Sequence, residues 1–245
     1  MEIKTYEANK IGGCITEIKS ENTKIIFDYG NNLADTPQID IEGLTCGTPQ
    51  YDAVFIIHYH LDHIGSIDKI LKDIPIYVEE TTKILYDIIG DFQSKPRVEV
   101  KTFSFSKAIT IDNHIKITPY KVDHSAYNSC MFLIDDGKEK AIYTGDFRNN
   151  GYTGNRLIPT FKAIGKVDYL ITEGTNITSN LSHIIRKESS LVDEFIRIMN
   201  RYKQVFVLMT ASNIDRITTL LKACNRTYKR DYRNNWMLKG LCDTF

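Results

Sequence analysis

The stretch His58-Tyr59-His60-Leu61-Asp62-His63-Ile64-Gly65 places four side chains that can bind a metal within six positions. It directly follows a run of five apolar residues, which predicts a buried strand that ends at a functional site. On an extended segment His58 and His60 point the same way, toward one metal. Asp62 and His63 lie where the chain turns into a helix, so they can face a neighbouring point. The stretch therefore predicts a metal site at the end of a strand.

Three further residues at the ends of predicted strands can complete such a site. His124 follows a strand and is the natural third nitrogen ligand. Asp146 ends another strand beside Gly145, which permits a close approach, and a carboxylate there can bridge two metals. Asp28 also ends a buried strand, where a carboxylate is suited to orient the ligand loop from behind the ligands.

The composition is that of an ordinary soluble globular protein of 245 residues, with 42% hydrophobic and 25% charged side chains. This length suits one large domain, or one domain and part of a second. Basic and acidic side chains balance at thirty-one each, but residues 201–245 hold nine basic and three acidic ones. This basic end, with Arg226, Lys229, Arg230 and Arg233, can meet an anionic partner, although a solvated basic face fits equally well.

Several protein classes find no support in the sequence. The five cysteines form no C-x-x-C pair, which argues against a zinc ribbon and against a disulfide framework. Residues 1–10 contain no apolar core and are not a signal peptide, and apolar runs of five residues cannot span a bilayer. No phosphate-binding loop, nucleophile elbow or strand-adjacent dinucleotide fingerprint occurs. We therefore expect a cytoplasmic protein with no membrane partner.

The first half of the chain is rich in predicted strands. Cys14–Lys19 and Thr23–Asp28 predict a hairpin across a polar turn, and Asp135-Asp136-Gly137 marks the turn of another. Helical spacing predicts helices over 64–71 and 81–89. The other expected strands are Ala53–Ile57, Ile76–Val78, Ile115–Val122, Cys130–Ile134, Ala141–Thr144 and Asp168–Thr172.

The pattern changes near residue 174 to a strand between two helices. Apolar residues from Leu191 to Tyr202 and from Ile214 to Leu221 recur at helical spacing, and Val205–Met209 is a continuous apolar run typical of a strand. We therefore expect residues 1–173 to form one domain and residues 174–245 to begin a second.

The candidate residues resemble, in type and order, motifs one to four of the metallo-β-lactamase fold: His58, His60, Asp62, His63, His124 and Asp146, preceded by Asp28. This resemblance implies an α/β fold, the αβ/βα sandwich, with a zinc site between two sheets. It implies one metal held by His58, His60, His124 and Asp146. It also implies part of a second metal site at Asp62, His63 and Asp146.

A narrower resemblance involves the later part of the chain. Residues 168–176 are similar to the acidic motif that ends the first lactamase-like half of β-CASP ribonucleases, those like ribonuclease J. Residues 205–216 are similar to the strand-to-helix segment of the inserted β-CASP domain. This resemblance implies a catalytic role for Glu173 and RNA as the substrate. A glutamate that closes a strand and a generic helix–strand–helix unit would fit the same residues.

The family pattern is incomplete in this chain, whose six histidines lie at positions 58, 60, 63, 114, 124 and 183. The family's last motif is a histidine that completes the second metal, and β-CASP ribonucleases add a late histidine as general acid. No residue is assigned to either, because His183 comes too early and His114 is expected to be a strand residue without a site role. We also expect the closing half of the sandwich to be absent. The favoured explanation is that this is the N-terminal part of a longer protein, and the alternative is a shortened chain completed by a partner chain or a second copy.

The leading hypothesis is a metal-dependent hydrolase that cleaves phosphodiester bonds, most simply in RNA, with a zinc-activated water. One or two Zn²⁺ ions are expected, and Mn²⁺ or Fe would fit the same ligands. The resemblance suggests that Asp62 holds the second metal or handles the proton of the attacking water. Two alternatives stay open: a hydrolase of a small thioester, lactone or cyclic phosphodiester, and a non-catalytic module that binds metal or a partner.

Overall fold

Two β-sheets contain the strands of the computed structural model, which describes residues 1–33, 38–175, 185–210 and 212–227. The first sheet has six strands, in spatial order β1 (Glu2–Thr5), β2 (Thr16–Ser20), β3 (Thr23–Phe27), β4 (Ala53–Phe55), β5 (Ile76–Glu79) and β6 (Lys101–Phe103). The second sheet has five, in spatial order β11 (Tyr169–Ile171), β10 (Lys140–Tyr143), β9 (Cys130–Asp135), β8 (Ile115–Lys121) and β7 (Ile109–Ile111).

Strand direction brings the ends of several strands to one edge of the molecule. In the first sheet β3, β4 and β5 are mutually parallel, with Phe27 paired to Phe55 and Phe55 to Tyr77. In the second sheet β8 and β10 are both antiparallel to β9 and therefore run the same way. Parallel strands end at the same edge of a sheet. The segment that follows β3 therefore lies near the segment that follows β4, and the segment that follows β8 lies at the same edge as the segment that follows β10.

The two sheets face each other across a shared apolar layer. Phe27 and Phe55 of the first sheet pack against Phe132 of the second, with ring centroids 5.5 Å apart in both pairs. Side chains from the inner faces of both sheets pack in this layer, and Leu170 on the edge strand β11 is 60% exposed. Burial of this kind stabilises a fold by about 25 cal/mol for each Å² of apolar surface. The absence of a closing half of the sandwich stays a prediction.

Helices cover the outer face of each sheet. Side chains from β3, β4 and β5 pack with Tyr86 of helix α2, and Leu157 of helix α3 packs against Met131 and Ile142 of the second sheet. The layers therefore run helix, sheet, sheet, helix, which confirms the expected αβ/βα sandwich. The helices are α1 (Leu61–Ile64), α2 (Glu80–Phe92), α3 (Leu157–Ile164), α4 (Leu191–Arg201) and α5 (Ile214–Asn225), with single 3₁₀ turns at Ile67–Lys69, Gly154–Arg156 and Glu188–Ser190. None of the described helices is long and apolar enough to cross a membrane.

The helix expected over residues 64–71 is wrong, because the chain there forms a short helix and a separate 3₁₀ turn. The backbone N–H of Ser66 donates to the carbonyl oxygen of Tyr29 at 3.1 Å, and its hydroxyl donates to Asn31 at 2.7 Å. These bonds to the segment after β3 replace the bonds that would continue α1. The break leaves Asp62 and His63 in the single turn of α1.

Helices α4 and α5 pack on each other around a separate small core that includes Val192, Met199 and Leu220. The strand expected at Val205–Met209 is wrong, since this segment belongs to neither sheet and pairs with no strand in the described part of the chain. Val205 and Met209 pack against the small core, whereas Phe206 and Leu208 are fully exposed. The division between residues 173 and 174 stays a prediction.

Candidate metal centre

Asp28 is the residue that ties the strand ends together. It lies just after β3 with a φ of +61° and is completely buried. One carboxylate oxygen accepts the backbone N–H of Ile57 at 3.0 Å. The other accepts hydrogen bonds from His63 Nδ1 at 2.8 Å and from the Tyr143 hydroxyl at 2.7 Å. Asp28 therefore holds the His63 ring from behind, as its place in the sequence predicts.

This hydrogen bond leaves the other nitrogen of His63 free to face the ligand candidates. His63 Nε2 lies 3.5 Å from Asp62 Oδ2 and 3.4 Å from Asp146 Oδ2. Burial alone would lower the pKa of His63, but the charges of Asp28 and Asp146 raise it well above the ordinary value. For Asp146, burial acts to raise the pKa, and His63 and the other histidines lower it below the ordinary value. The two side chains thus lie close together and attract each other at the centre of the site.

The other three histidines form a cluster of rings beside that pair. His58 lies with its ring centroid 4.5 Å from that of His60 and 4.7 Å from that of His124. His124 Nε2 and His60 Nδ1 are 3.3 Å apart. Burial lowers the pKa of all three, and that of His124 falls to about 3. The rings are therefore neutral at physiological pH, which is the form of imidazole that binds a metal.

The residues fit a metal because their buried nitrogen atoms lack other partners. Both ring nitrogens of His58, and Nε2 of His60 and of His63, have no hydrogen bond in the described structure. Leaving a buried polar atom unsatisfied costs about 1–3 kcal/mol, and a cation at the cluster would satisfy several at once. Two groups have ligand atoms within 4.8 Å of one another: His58 with His60 and His124, and His58 with His63 and Asp146.

Asp146 belongs to the second group and also lies beside the first, with its Oδ2 3.4 Å from His63 Nε2 and 3.7 Å from His124 Nε2. This position suits the bridging carboxylate expected from the sequence. Gly145 allows it, because a Cβ there would lie 2.1 Å from the Ile57 side chain. The structure thus places five of the six residues expected to bind metal in these two groups, and it adds His58 to the second group. Asp62 lies beside the second group, 3.5 Å from His63 Nε2, but belongs to neither. Which metal each residue holds stays a prediction.

Glu173 lies beside the ligands and belongs to neither group that can hold a metal. Its Oε1 accepts the backbone N–H of Phe147 at 2.9 Å, so it fixes the loop that carries Asp146. His114 is in the turn between β7 and β8, where Asp112 and Asn113 have positive φ, so its expected place in a strand is wrong. His183 lies outside the described residues, as do Lys229, Arg230 and Arg233 of the basic end.

An open cleft of about 500 Å³ reaches the metal ligands from the direction of α5. Its lining includes Tyr59, His60 and Asp62 on one side and Thr210, Ser212 and Asn213 on the other. No sequence pattern predicted this second wall. Tyr143 could have been identified as a partner of Asp28 from the alternation of inner and outer residues along its strand. No spacing pattern points to Tyr59 or to Ser212.

Comparison with known proteins identifies the same fold and related ribonucleases. Ribonuclease J of Mycoplasma genitalium is 24% identical over 87% of this chain and 40% of its own length. Endoribonuclease ysh-1 of Neurospora crassa is 28% identical over 81% of this chain and 26% of its own length. The chain thus spans less than half the length of these relatives. A crystal structure of a protein of unknown function from Enterococcus faecalis V583 matches 87% of this chain and 60% of its own, with a TM-score of 0.74 and 19% identity.

A family model described as a beta-lactamase superfamily domain matches residues 23–223. The matched range contains all six ligand candidates, and it continues past the sandwich through most of α5. The sequence motifs, the layered sheets and the histidine–aspartate cluster agree with this match, and the chain belongs to the beta-lactamase superfamily.

Proposed function

We propose that this protein is a metal-dependent hydrolase that cleaves phosphodiester bonds in RNA, in the cytoplasm. The observation that carries the proposal is the convergence of Asp146 with four histidines, two of them fully and two partly buried, several of whose ring nitrogens have no hydrogen bond. The RNA substrate is supported by the similarity to ribonuclease J and to endoribonuclease ysh-1 over more than four-fifths of the chain.

Zinc fits the proposed ligands best, because imidazole and carboxylate groups suit it, and Mn²⁺ or Fe would also fit. His58, His60, His124 and Asp146 would hold one ion, and His63 with Asp146 and Asp62 would hold part of a second. A bound Zn²⁺ ion would supply Lewis acidity and lower the pKa of a water molecule at the site toward about 7.

The chain's own residues would orient the reaction and handle its proton. Asp62 is partly exposed at the cleft, with Oδ2 3.5 Å from His63 Nε2. Asp62 would accept the proton that the attacking water releases, or it would bind the second metal. Asp28 holds His63 in position, and Glu173 supports the reaction by holding the Asp146 loop through the Phe147 amide.

The far wall of the cleft is suited to contact the RNA chain. Thr210, Ser212 and Asn213 present hydroxyl and amide groups that can bond to phosphate or to ribose hydroxyls. If the basic end at residues 201–245 also follows the phosphate backbone, RNA binding should weaken as the salt concentration rises.

The test is RNA hydrolysis by the parent chain and by the double variant His58→Ala/His60→Ala, with metal content measured on the same samples. We expect the double variant to lose bound metal and nearly all activity. His114→Ala is the matched control, because it removes a histidine that lies outside both ligand groups. RNA hydrolysis at the parent rate by the double variant would contradict the proposal.

A second candidate is hydrolysis of a small thioester, lactone or cyclic phosphodiester. The cleft volume of about 500 Å³ lies in the range of small-molecule sites, and Leu33, Tyr59 and Ile89 give it an apolar part. A panel that compares RNA with small esters separates the two candidates. Metal binding without turnover of any of these substrates would instead favour a non-catalytic module.

A further inference from the structure

We infer that Arg148 and Asp215 form a clamp that makes the N-terminal end of helix α5 part of the metal centre. The inference rests on the metal site of the proposed function, but it does not depend on RNA as the substrate. Arg148 is two residues beyond Asp146, and Asp215 is in the first turn of α5. The clamp comprises Arg148, Asp215 and Asp123.

Arg148 first joins two of the loops that carry ligands. Its backbone N–H donates to the carbonyl oxygen of Asp123 at 2.7 Å, and Asp123 directly precedes His124. Its Nη2 atom lies 3.5 Å from the carbonyl oxygen of His124 itself. Arg148 therefore fixes the spacing between the loop of His124 and the loop of Asp146.

The guanidinium group then connects these loops to α5. Nη2 of Arg148 donates to Asp215 Oδ2, and Nε lies 3.7 Å from Asp123 Oδ2. All three side chains are largely buried, with 22% of Arg148, 18% of Asp215 and 1% of Asp123 exposed. A guanidinium held between carboxylates in partial burial is a strong and directional contact. Asp215 also accepts the backbone N–H of Tyr152 at 3.3 Å.

The residues just before Asp215 contact the remaining ligand segments. Tyr59, between His58 and His60, donates its hydroxyl to the carbonyl oxygen of Ser212 at 3.0 Å. The backbone N–H of Ile214 donates to the carbonyl oxygen of Ser125, the neighbour of His124, at 3.0 Å. Tyr59, Ser125 and Arg148 each lie beside a different ligand segment, and all three bind to residues 212–215. This shared attachment is the observation that carries the inference.

A different role for Arg148 would be to bind a substrate phosphate directly. The two roles make opposite predictions for Asp215→Asn. In the clamp, removing the charge of Asp215 frees the Arg148 side chain and loosens the ligand loops, so metal affinity falls. If Arg148 instead bound phosphate, the same change would release its guanidinium toward the substrate and leave metal affinity unchanged.

The experiment measures Zn²⁺ affinity by competition with a chelating dye, and the visible absorption of the Co²⁺-loaded protein, for full-length Arg148→Gln and Asp215→Asn. We expect each variant to lose affinity by about 10- to 100-fold, the usual effect of removing a partner that orients metal ligands. We also expect altered Co²⁺ absorption bands, because these bands report the ligand geometry. The double variant Arg148→Gln/Asp215→Asn should bind Zn²⁺ no more weakly than the weaker of the two single variants, because both changes break the same contact.

Arg97→Gln is the matched control, because Arg97 also bridges two aspartates, Asp87 and Asp91, at 2.9 Å and 2.7 Å, on α2. It should keep the parent affinity and the parent Co²⁺ spectrum. If Arg148→Gln does not fold, Arg148→Lys keeps the charge and should show a smaller loss in the same direction. Folded variants with parent affinity and spectrum would overturn the clamp, whereas a parent protein that binds neither metal would contradict the proposed metal centre itself.

Discussion

At the scale of single residues, Asp28 shows how a carboxylate that binds no metal can control the site. Burial raises the pKa of Asp28 despite its contacts with His63 and Tyr143. Because Asp28 is completely buried, three hydrogen bonds within the protein, and not water, hold its carboxylate in position. A residue that orients a ligand ring in this way usually affects metal affinity as much as catalysis.

We predict that Asp28→Asn weakens Zn²⁺ binding by about 10- to 100-fold, because an amide holds the His63 ring less firmly than a carboxylate. Competition with a chelating dye measures this change. Asp136→Asn is the control: Asp136 is also nearly buried and accepts three hydrogen bonds, but it lies in the β9–β10 turn, away from the ligands. A folded Asp28→Asn protein with the parent affinity would show that His63 is held by other contacts.

Gly30 is the residue at which the ligand segment approaches the chain after β3 most closely. A Cβ at Gly30 would lie 1.7 Å from the carbonyl oxygen of Asp62 and 2.4 Å from the backbone nitrogen of His63. Both are backbone atoms and cannot rotate away. We predict that Gly30→Ala lowers the free energy of unfolding by about 3 kcal/mol or more, as measured by urea denaturation.

The control for this prediction is Gly137→Ala in the β9–β10 turn. No atom lies within 4 Å of a Cβ at Gly137, but its φ of +82° is unfavourable for alanine. That strain should cost about 1–2 kcal/mol. Equal losses in the two variants would mean that backbone strain, and not the contact with the Asp62–His63 segment, decides the effect at Gly30.

At the scale of helices and strands, a buried ion pair connects the segment before α4 to α5. Glu188 is 3% exposed and accepts from Arg216 Nε at 2.6 Å and from the Thr219 hydroxyl at 3.0 Å. Burial alone would raise the pKa of Glu188, but Arg216 and Thr219 lower it below the ordinary value. A carboxylate whose pKa is lowered by folding stabilises the folded protein most at pH values at which it is ionised in both the folded and the unfolded protein.

We therefore predict that this contribution is complete above the unfolded pKa of about 4.3 and is lost as the pH falls toward the lower folded value. Urea denaturation at a series of pH values from about 6 to 3 measures it, and Glu188→Gln should make the acid slope shallower. Glu194→Gln is the control, because Glu194 pairs with Arg186 at an exposed position on α4. An acid slope that is the same in Glu188→Gln and the parent would contradict the prediction.

The sequence predicted those elements whose own pattern is strong. The β2–β3 hairpin follows from two β-rich runs around a tight turn, in which Glu21 takes a φ of +54°. Strand β4 follows from a continuous apolar run that is buried on both faces. Strands β1, β6 and β7 and helix α3 were not predicted. Strands of three or four residues and a short helix depend on the surfaces on which they pack more than on their own periodicity.

At the scale of the whole molecule, the sequence identified the ligand candidates but not the contacts that attach their loops to the rest of the chain. Each ligand candidate follows a strand within three residues or lies in the histidine segment, so local patterns were sufficient to find it. The contact from Tyr59 to Ser212 spans 153 residues, and that from Arg148 to Asp215 spans 67. No single-sequence pattern encodes pairs so far apart, which is why the second wall of the cleft was missed.

The exposed segment Val205–Met209 affects how whole molecules behave in solution. Val205 and Met209 pack against the α4–α5 core, whereas Phe206, Val207 and Leu208 between them are exposed. The backbone N–H groups of this segment make no hydrogen bonds within the described chain. An extended apolar segment with free backbone groups is a template for pairing with another strand. Antiparallel pairing of two copies about Val207 would place Phe206 opposite Leu208 of the second copy on both sides of the two-fold axis.

We predict that the parent protein associates in a concentration-dependent way, and that Phe206→Lys/Leu208→Lys reduces this association in sedimentation velocity runs. Charged side chains on such an edge oppose pairing with another chain. Ile158→Lys is the control, because Ile158 is 60% exposed on α3, away from this segment. The free energy of unfolding of the monomer should change by no more than about 0.5 kcal/mol, since both replaced side chains are exposed. Sedimentation that is identical in the parent and the double variant would show that this segment does not mediate contact between copies.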